Sequence, residues 1–238
     1  RRIEVRTFSR FVNSVRLLLS QSPLDRQGIS MKENRQVHLV IVDLAVRGEA
    51  LLMHSLAIGH FANTIPLAVT VIDESASQKE ELLTERFPEI HKCGQLTFVD
   101  GDLHDQAVRQ RLNGLLADST QIVTLAVCCE DSQAALTQSM DLMPLLTQYN
   151  NTVYANLGED ENASVCIEQS HLDTMRLVSF GNPNNDCSLR AVLRQDLDHI
   201  ARSLHAAYVS KRLTNGDSEQ DYPAMRPWDE LDVELQEL

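Results

Sequence analysis

The sequence predicts an α/β fold in which a doubly wound parallel sheet carries helices on both faces. It also predicts an N-terminal helix and a C-terminal helical extension. Between residues 37 and 179, short apolar runs alternate with amphipathic segments of helical period, which is typical of βαβ units. The apolar runs are continuous rather than alternating, as in strands that are buried on both faces.

The first element is a predicted helix at residues 8–20, where Phe11, Val15, Leu18 and Leu19 recur at helical spacing. Pro23 ends this helix, and the polar stretch of residues 24–35 predicts a linker. The alternating region follows. The strands are expected at residues 37–42, 67–72, 96–99, 122–128, 152–156 and 176–179. The helices between them are expected at residues 49–60, 77–87, 106–116 and 132–146, with a helical or irregular stretch up to residue 172.

The pattern changes at Ser188, where a long helical run at residues 189–212 begins. Thr214, Asn215 and Gly216 predict its C-cap, and the acidic last residues predict a short final helix. We therefore expect three regions: residues 1–35 as N-terminal helix and linker, residues 36–187 as the α/β domain, and residues 188–238 as the helical extension.

Composition narrows the class of protein. The chain has 238 residues, 43% of them apolar, and a formal net charge of −13. This charge argues against a nucleic-acid partner, because phosphate binding requires a basic face. The charge is uneven, since residues 1–35 hold eight Lys and Arg against three acids, whereas residues 213–238 hold eight acids against one Arg.

The cysteines and the lengths of the apolar runs indicate the cellular compartment of the protein. The chain has five cysteines, with no Cys-x-x-Cys pair, which favours a reducing, cytoplasmic compartment without a disulfide framework. No apolar run reaches the ~18 residues that span a bilayer, and no signal peptide is visible. Because the chain begins with Arg1, we expect it to be a piece of a longer protein.

The turn after the first strand carries the clearest functional signal. A strand, a turn and a helix followed by a second strand that ends at Asp73 form the layout of a Rossmann unit with its ribose-binding acid. The glycine motif of that turn, G-x-G-x-x-G, has Asp43, Ala45 and Gly48 at its three glycine positions. Only the third glycine, which lets the helix pack on the strand, is present.

The two substitutions predict weak binding of a dinucleotide. Ala45 adds a methyl group where a pyrophosphate approaches, and Asp43 adds a negative charge. At about 4 Å and an effective dielectric constant near 20, that repulsion costs about 4 kcal/mol. Arg47 offsets part of it by pairing with Asp43 or with a phosphate. Three alternatives remain open: NAD, another or weaker adenine nucleotide, or no nucleotide.

Other polar residues follow the remaining strands, where ligands bind in such sheets. Gly101 and Asp102 follow the third strand, and Glu130 and Asp131 follow the fourth. A turn followed by a helix cap explains Gly101 and Asp102 equally well. Nucleophile, phosphate-loop and zinc-protease motifs are missing from the sequence, and His199 and His205 do not share a helix face. A non-enzymatic protein without a metal is therefore favoured.

Residues 37–131 resemble the regulator-of-potassium-conductance domain, also called the Trk-type NAD-binding domain. The resemblance lies in the strand leading into Asp43–Gly48, in Asp73, in Gly101-Asp102-Leu103-His104-Asp105, and in Glu130-Asp131. It implies that these residues surround a bound nucleotide. It also implies a homodimer or larger ring.

Residues 197–231 resemble the start of a ryanodine-receptor repeat domain. The resemblance lies in the helix that holds Ala201-Arg202, His205 and Tyr208, followed by Pro227-Trp228-Asp229-Glu230-Leu231. Together the two resemblances imply the regulatory module of a cation-channel-like protein, at the cytosolic face of the membrane and preceded by a channel segment. The alternatives are an NAD(P)-dependent oxidoreductase and a non-binding scaffold for protein assembly.

Overall fold

A computed structural model describes residues 8–26, 28–149, 151–158, 177–192, 199–220 and 222–231. These residues contain six strands, all of which belong to one sheet. In chain order the strands are β1 (Gln36–Val42), β2 (Ala68–Asp73), β3 (Gln95–Asp100), β4 (Gln121–Val127), β5 (Thr152–Asn156) and β6 (Leu177–Phe180).

Five of the described helices precede β5, where they alternate with the strands, and three follow β6. The helices are α1 (Arg10–Gln21), α2 (Val46–Ile58), α3 (Ala76–Arg86), α4 (Gln106–Ala117), α5 (Ser132–Tyr149), α6 (Pro183–Asp186), α7 (Leu189–Val192) and α8 (His199–Thr214). Short 3-10 turns lie at Ile90–Lys92, Pro223–Met225 and Trp228–Glu230.

The sheet is parallel at every pairing, with strand order β3-β2-β1-β4-β5-β6. The chain builds outward from β1 to β3, then crosses back to place β4 on the other side of β1. The register pairs Val42 with Ile72 on one side and with Val127 on the other. The carboxyl ends of β1 and β4 therefore flank the point where the strand order reverses, which is where ligands bind in such sheets.

Two apolar cores cover the two faces of the sheet. Leu39 and Ile41 of β1 point into one core, which also takes residues of α1, α2 and α3. Val40 and Val42 point into the other core, which takes residues of α4 and α5. Successive residues of a strand face opposite sides, so the central part of β1, from Leu39 to Val42, is continuously apolar. The doubly wound α/β fold expected from the sequence is thus confirmed.

The N-terminal segment is part of the first core. Val15, Leu18 and Leu19 of α1 are buried there, as are Leu24 and Ile29 from the stretch that the sequence marks as a linker. Arg26 Nη2 also donates to Val123 O and to Asn151 Oδ1, each at 2.9 Å. This segment is held against the sheet.

Most predicted elements form within a few residues of their expected positions. Helix α2 begins at Val46, three residues before the expected start, because the carbonyl of Ala45 already accepts the N–H of Glu49. Arg47 and Gly48 therefore lie in its first turn. The expected stretch up to residue 172 lies outside the described residues, as do Arg176 and residues 232–238 of the expected final helix.

The chain divides into two compact units, Arg1–Ser188 and Leu189–Leu238. In the second unit, α7 and α8 form the described parts of the long predicted helix. Helix α8 ends in a Schellman motif, since Gly216 has φ +81° and Asp217 N donates to Arg212 O at 3.1 Å. This confirms the predicted C-cap.

The helix and the tail of the second unit contact each other. His205 Nε2 lies 2.9 Å from Ala224 O, and the ring of His205 meets that of Trp228 edge to face at 5.5 Å. Within the described parts of the chain, no helix is both long enough and apolar enough to span a bilayer.

Candidate ligand site at the strand-order reversal

A cavity of about 310 Å³ lies at the carboxyl ends of β1, β4 and β5. Its position is the one that the strand order marks as a ligand site. Residues of α1, of the first turn of α2, and of the segments that follow β4 and end β5 line the cavity. The lining residues are Arg10, Phe11, Val46, Arg47, Cys128, Glu130, Ser132, Asn156 and Gly158.

The turn after β1 has Asp43 at the first glycine position of the motif. Asp43 has φ +64°, in the left-handed region that favours glycine. Aspartate enters this region more readily than most residues. The carboxylate of Asp43 contacts the thiol of Cys129 at the end of β4. A negative charge therefore lies across the gap between β1 and β4, close to the expected path of a pyrophosphate.

Gly48 brings α2 close to the sheet. A Cβ atom at this position would lie 2.9 Å from Asp43 O and 3.2 Å from Cys128 Cβ. Because Asp43 O is a backbone atom that cannot rotate aside, a side chain at position 48 would force the helix away from the sheet. The role expected for the third glycine of the motif, helix-to-strand packing, is the role that this geometry gives Gly48.

Asp73 is engaged by its own chain. Its Oδ2 accepts the N–H of Leu44 at 2.8 Å, and its Oδ1 accepts the N–H of Ser75 at 2.9 Å and the Ser75 hydroxyl at 3.1 Å. Lys79 Nζ forms an ion pair with Oδ2. Burial raises the pKa of Asp73, but the hydrogen bonds from Lys79, Ser75 and Leu44 outweigh it, and the pKa lies below its ordinary value.

Arg47 carries a positive charge into the cavity. Arg47 is nevertheless only 8% exposed. Arg47 Nη2 donates to Gly181 O at 3.3 Å, and the guanidinium lies 5.2 Å from the centre of the Phe11 ring. Ala45, the N-cap of α2, offers no side-chain cap, so the amide groups of the first helical turn add to this positive end.

Asn156 supplies an acceptor to the same cavity. The residue is 1% exposed and its Nδ2 donates to Cys129 O at 2.7 Å. That contact sets the orientation of the amide, because only the nitrogen can donate to a carbonyl. Asn156 Oδ1 is buried and has no hydrogen-bond partner among the described residues. Such orphan acceptors are rare in folded proteins and often mark a missing partner.

Gly101, Asp102 and Asp131, which the sequence also predicts as site residues, have local structural roles. Asp102 Oδ1 accepts the N–H of Asp105 at 3.1 Å, and Gly101 has φ +142° in the turn before α4. Asp131 Oδ1 caps α5 by accepting the N–H groups of Gln133 and Ala134 at 2.7 and 3.1 Å. Glu130 is exposed and lines the cavity. Of the nine predicted residues, only Arg47 and Glu130 line it.

The cysteines at the site are poor nucleophiles. Burial, with a further contribution from the charge of Asp43, raises the pKa of Cys129 to about 12. Burial also raises the pKa of Cys128. Both thiols stay protonated at neutral pH, whereas the thiolate is the reactive form. All four cysteines within the described ranges are free.

A larger cavity of about 390 Å³ lies between the sheet and α4. It is lined by His38, whose Nε2 lies 2.9 Å from Thr70 Oγ1, and by residues of β2, β3 and α4. Burial lowers the pKa of His38, which favours a neutral ring. The predicted site residues lie elsewhere, and the strand-order rule points to the smaller cavity.

Sequence reasoning did not select Asn156, Phe11 or Arg10. Asn156 ends its strand, so the rule that selected Glu130 and Asp131 applies to it as well. Phe11 and Arg10 left no such signal, because α1 precedes the alternating region and reaches the site only through packing.

The fold and this site define the chain as a Rossmann-like α/β domain with a C-terminal helical unit. Comparison with models of protein families, with curated proteins and with solved structures gives no match. An assignment of function therefore rests on the geometry of the site.

Proposed function

We propose that this chain is a ligand-sensing regulatory module that binds a small phosphate-bearing molecule, of the size of a mononucleotide, in the cavity at the strand-order reversal. The observation that carries the proposal is that Arg47 and Asn156 line the same cavity. Arg47 and the first turn of α2 suit an anion. Asn156 Oδ1 suits a hydroxyl donor on the same ligand, such as that of a ribose.

The turn favours a mononucleotide over NAD. Asp43 puts a carboxylate beside Cys129, and Asp73 already accepts hydrogen bonds from Leu44 and Ser75. A dinucleotide would need both regions, one for its pyrophosphate and the other for its adenosine ribose. A single phosphate at Arg47 avoids both.

Binding without turnover suits a regulatory role. The thiols of Cys128 and Cys129 are held protonated, so covalent catalysis by them is disfavoured. Following the resemblance to the regulator-of-potassium-conductance domain, we further propose that the module acts as a homodimer or larger ring. Its place would be the cytosolic face of a membrane, as part of a cation-channel-like protein. A ligand would act there through unequal affinity for two states of the assembly.

Calorimetric titration tests the ligand proposal. The probes are AMP, ADP, ATP, NAD, NADH and inorganic phosphate. We expect AMP or ADP to bind more tightly than NAD, and Arg47→Met to weaken binding at least tenfold. The matched control is Arg86→Met, since Arg86 also stacks on a phenylalanine ring, Phe87, at 5.1 Å but lies outside the cavity.

Several results would count against the proposal. Heat with none of the probes would leave only the scaffold alternative. Tight NAD binding together with oxidation of NADH would favour the oxidoreductase. The assembly part has its own test, since light scattering that shows a strict monomer at high concentration would remove it while leaving the ligand site standing.

A further inference from the structure

Strand β3 forms one edge of the sheet, because the strand order begins with it. Residues 96–99 of this strand are half-buried, and Gln95 and Asp100 at its two ends are exposed. The neighbouring strand β2 is buried along its whole length. Among the described residues, no strand pairs with the outer side of β3. This edge of the sheet is therefore open to a further strand.

The backbone of β3 determines which residues could pair across that edge. Gln95 N donates to Leu67 O at 2.9 Å, so the odd-numbered residues of β3 bond to β2. Successive residues of a strand direct their N–H and C=O groups to opposite sides. The main-chain groups of Leu96 and Phe98 therefore point outward. Within the described ranges, these groups have no hydrogen-bond partner.

The outer side of β3 lacks the features that keep exposed strands apart. Such edges are commonly protected by lysine, proline or a bulge, and Gln95–Asp100 contains none of the three. Its one charged residue, Asp100, is used within the chain, since Oδ1 accepts the N–H of Ser77 at the start of α3 at 2.9 Å. Nothing in the strand itself opposes pairing.

A second copy of the chain supplies a complementary strand. A two-fold axis perpendicular to the sheet makes the two β3 strands antiparallel and keeps each face of the sheet on its own side. With the axis at Thr97, each Leu96 lies opposite the partner's Phe98. The outward N–H and C=O groups of that pair then exchange both hydrogen bonds. On the other face Thr97 lies opposite its own copy, and Val99 lies opposite the partner's Gln95.

We propose that the outer side of β3 is a homodimer surface, at which two copies of this chain pair their β3 strands antiparallel about Thr97 and form one continuous sheet. Leu96 and Phe98 both pack partly against the first core, so their pairing extends that core across the axis. An axis at Phe98 would instead place Leu96 opposite the carboxylate of Asp100. The inference rests on the assembly part of the proposed function, whose surface it names, and does not use the ligand site.

Analytical ultracentrifugation of the whole chain tests the surface. We expect a dimer that Thr97→Lys weakens at least tenfold, because this change places like charges opposite each other across the axis. The matched control is Thr97→Gln, which adds a long polar side chain without a charge and should keep the dimer.

Disulfide formation tests the register, in a chain whose exposed cysteines, Cys93 and Cys187, are replaced by serine. With oxidised glutathione, Thr97→Cys should form an intermolecular disulfide, because the Cα atoms of such an opposite pair lie about 4.5 Å apart. Val99→Cys is the control on the same face. Its two copies would lie four residues out of register, roughly 13 Å apart, which is beyond the reach of a disulfide.

The outcomes separate this surface from the proposed assembly. A dimer that is equally stable in Thr97→Lys and Thr97→Gln would overturn the surface and leave the assembly standing. A dimer in which Thr97→Cys gives no more disulfide than Val99→Cys would do the same. A strict monomer would overturn both and leave the ligand site to the calorimetric titration.

Discussion

Asp73 Oδ2 accepts the backbone N–H of Leu44 at 2.8 Å, which ties the end of β2 to the turn after β1. Leu44 follows Asp43, the residue in left-handed backbone conformation. The acid that the sequence marks as a ribose ligand thus supports the turn after β1 in this structure.

We expect Asp73→Asn to destabilise the fold by about 1–3 kcal/mol at pH 7, since it removes an ion pair and acceptors for buried donors. The pKa of Asp73 is lowered in the folded state. Its contribution is therefore complete above the unfolded pKa of about 3.9 and is lost as pH falls through the lower folded pKa.

Urea denaturation at pH 7 and at steps below pH 4 measures this effect. The control is Asp141→Asn, a change at an exposed position of α5 that should stay within about 0.5 kcal/mol of the parent chain. An Asp73→Asn variant as stable as the control at pH 7 would contradict the role given to Asp73.

Removing the charge of Asp43 should strengthen dinucleotide binding. Asparagine keeps the shape of the side chain and also tolerates the left-handed region, so Asp43→Asn isolates the electrostatic repulsion. We expect affinity for NAD to rise at least tenfold in calorimetric titration, with little change in the free energy of unfolding.

Asp118→Asn serves as the comparison for Asp43→Asn, because Asp118 lies at the opposite end of β4, where it bonds to Thr120. It should leave NAD affinity unchanged. Equal NAD affinity in the Asp43→Asn and Asp118→Asn variants would show that the charge at the turn does not limit binding.

Gly48→Ala tests the close approach of α2 to the sheet. The new Cβ would lie 2.9 Å from Asp43 O, and relief of that overlap should cost about 1–3 kcal/mol. Gly114→Ala is a helical control, because a Cβ there meets no described atom within 4 Å apart from the neighbouring backbone of its own helix.

Chemical denaturation should therefore give opposite signs for these two variants. Gly114→Ala should stabilise the chain by about 0.5–1 kcal/mol through helix propensity. A neutral or stabilising Gly48→Ala would contradict the packing role of this glycine.

Asp186 should make stability fall as pH rises. Burial raises its pKa to about 6, and Ser14, Arg47 and Arg10 offset only part of that effect. Between the unfolded pKa of about 3.9 and pH 6, the folded state holds a proton that the unfolded state has lost. Raising pH across this window therefore favours unfolding.

The Asp186→Asn variant should lose this pH dependence. Its free energy of unfolding relative to that of the parent chain should be about 1–3 kcal/mol higher at pH 8 than at pH 4. Urea denaturation of both proteins across pH 4–8 measures it. The same pH slope in both proteins would show that another group titrates in this window.

The sequence alone was sufficient to predict the α/β class, the described strands and the alternation of helices. These features follow from local patterns, since a strand buried on both faces must be apolar on both of them, as β1 is from Leu39 to Val42. The close packing of α2 on the sheet at Gly48 was also predictable, because the spacing of the motif sets where the helix meets its strand.

Only the tertiary structure decided which polar residues meet. Asp73 and Asp131 look like ligand residues in the sequence, yet their carboxylates bond to nearby backbone amides. Asn156 and Phe11 lie far from Arg47 in the chain and contact the same cavity. Hydrogen-bond satisfaction and helix packing depend on what folding brings together, and a one-dimensional pattern does not contain those distances.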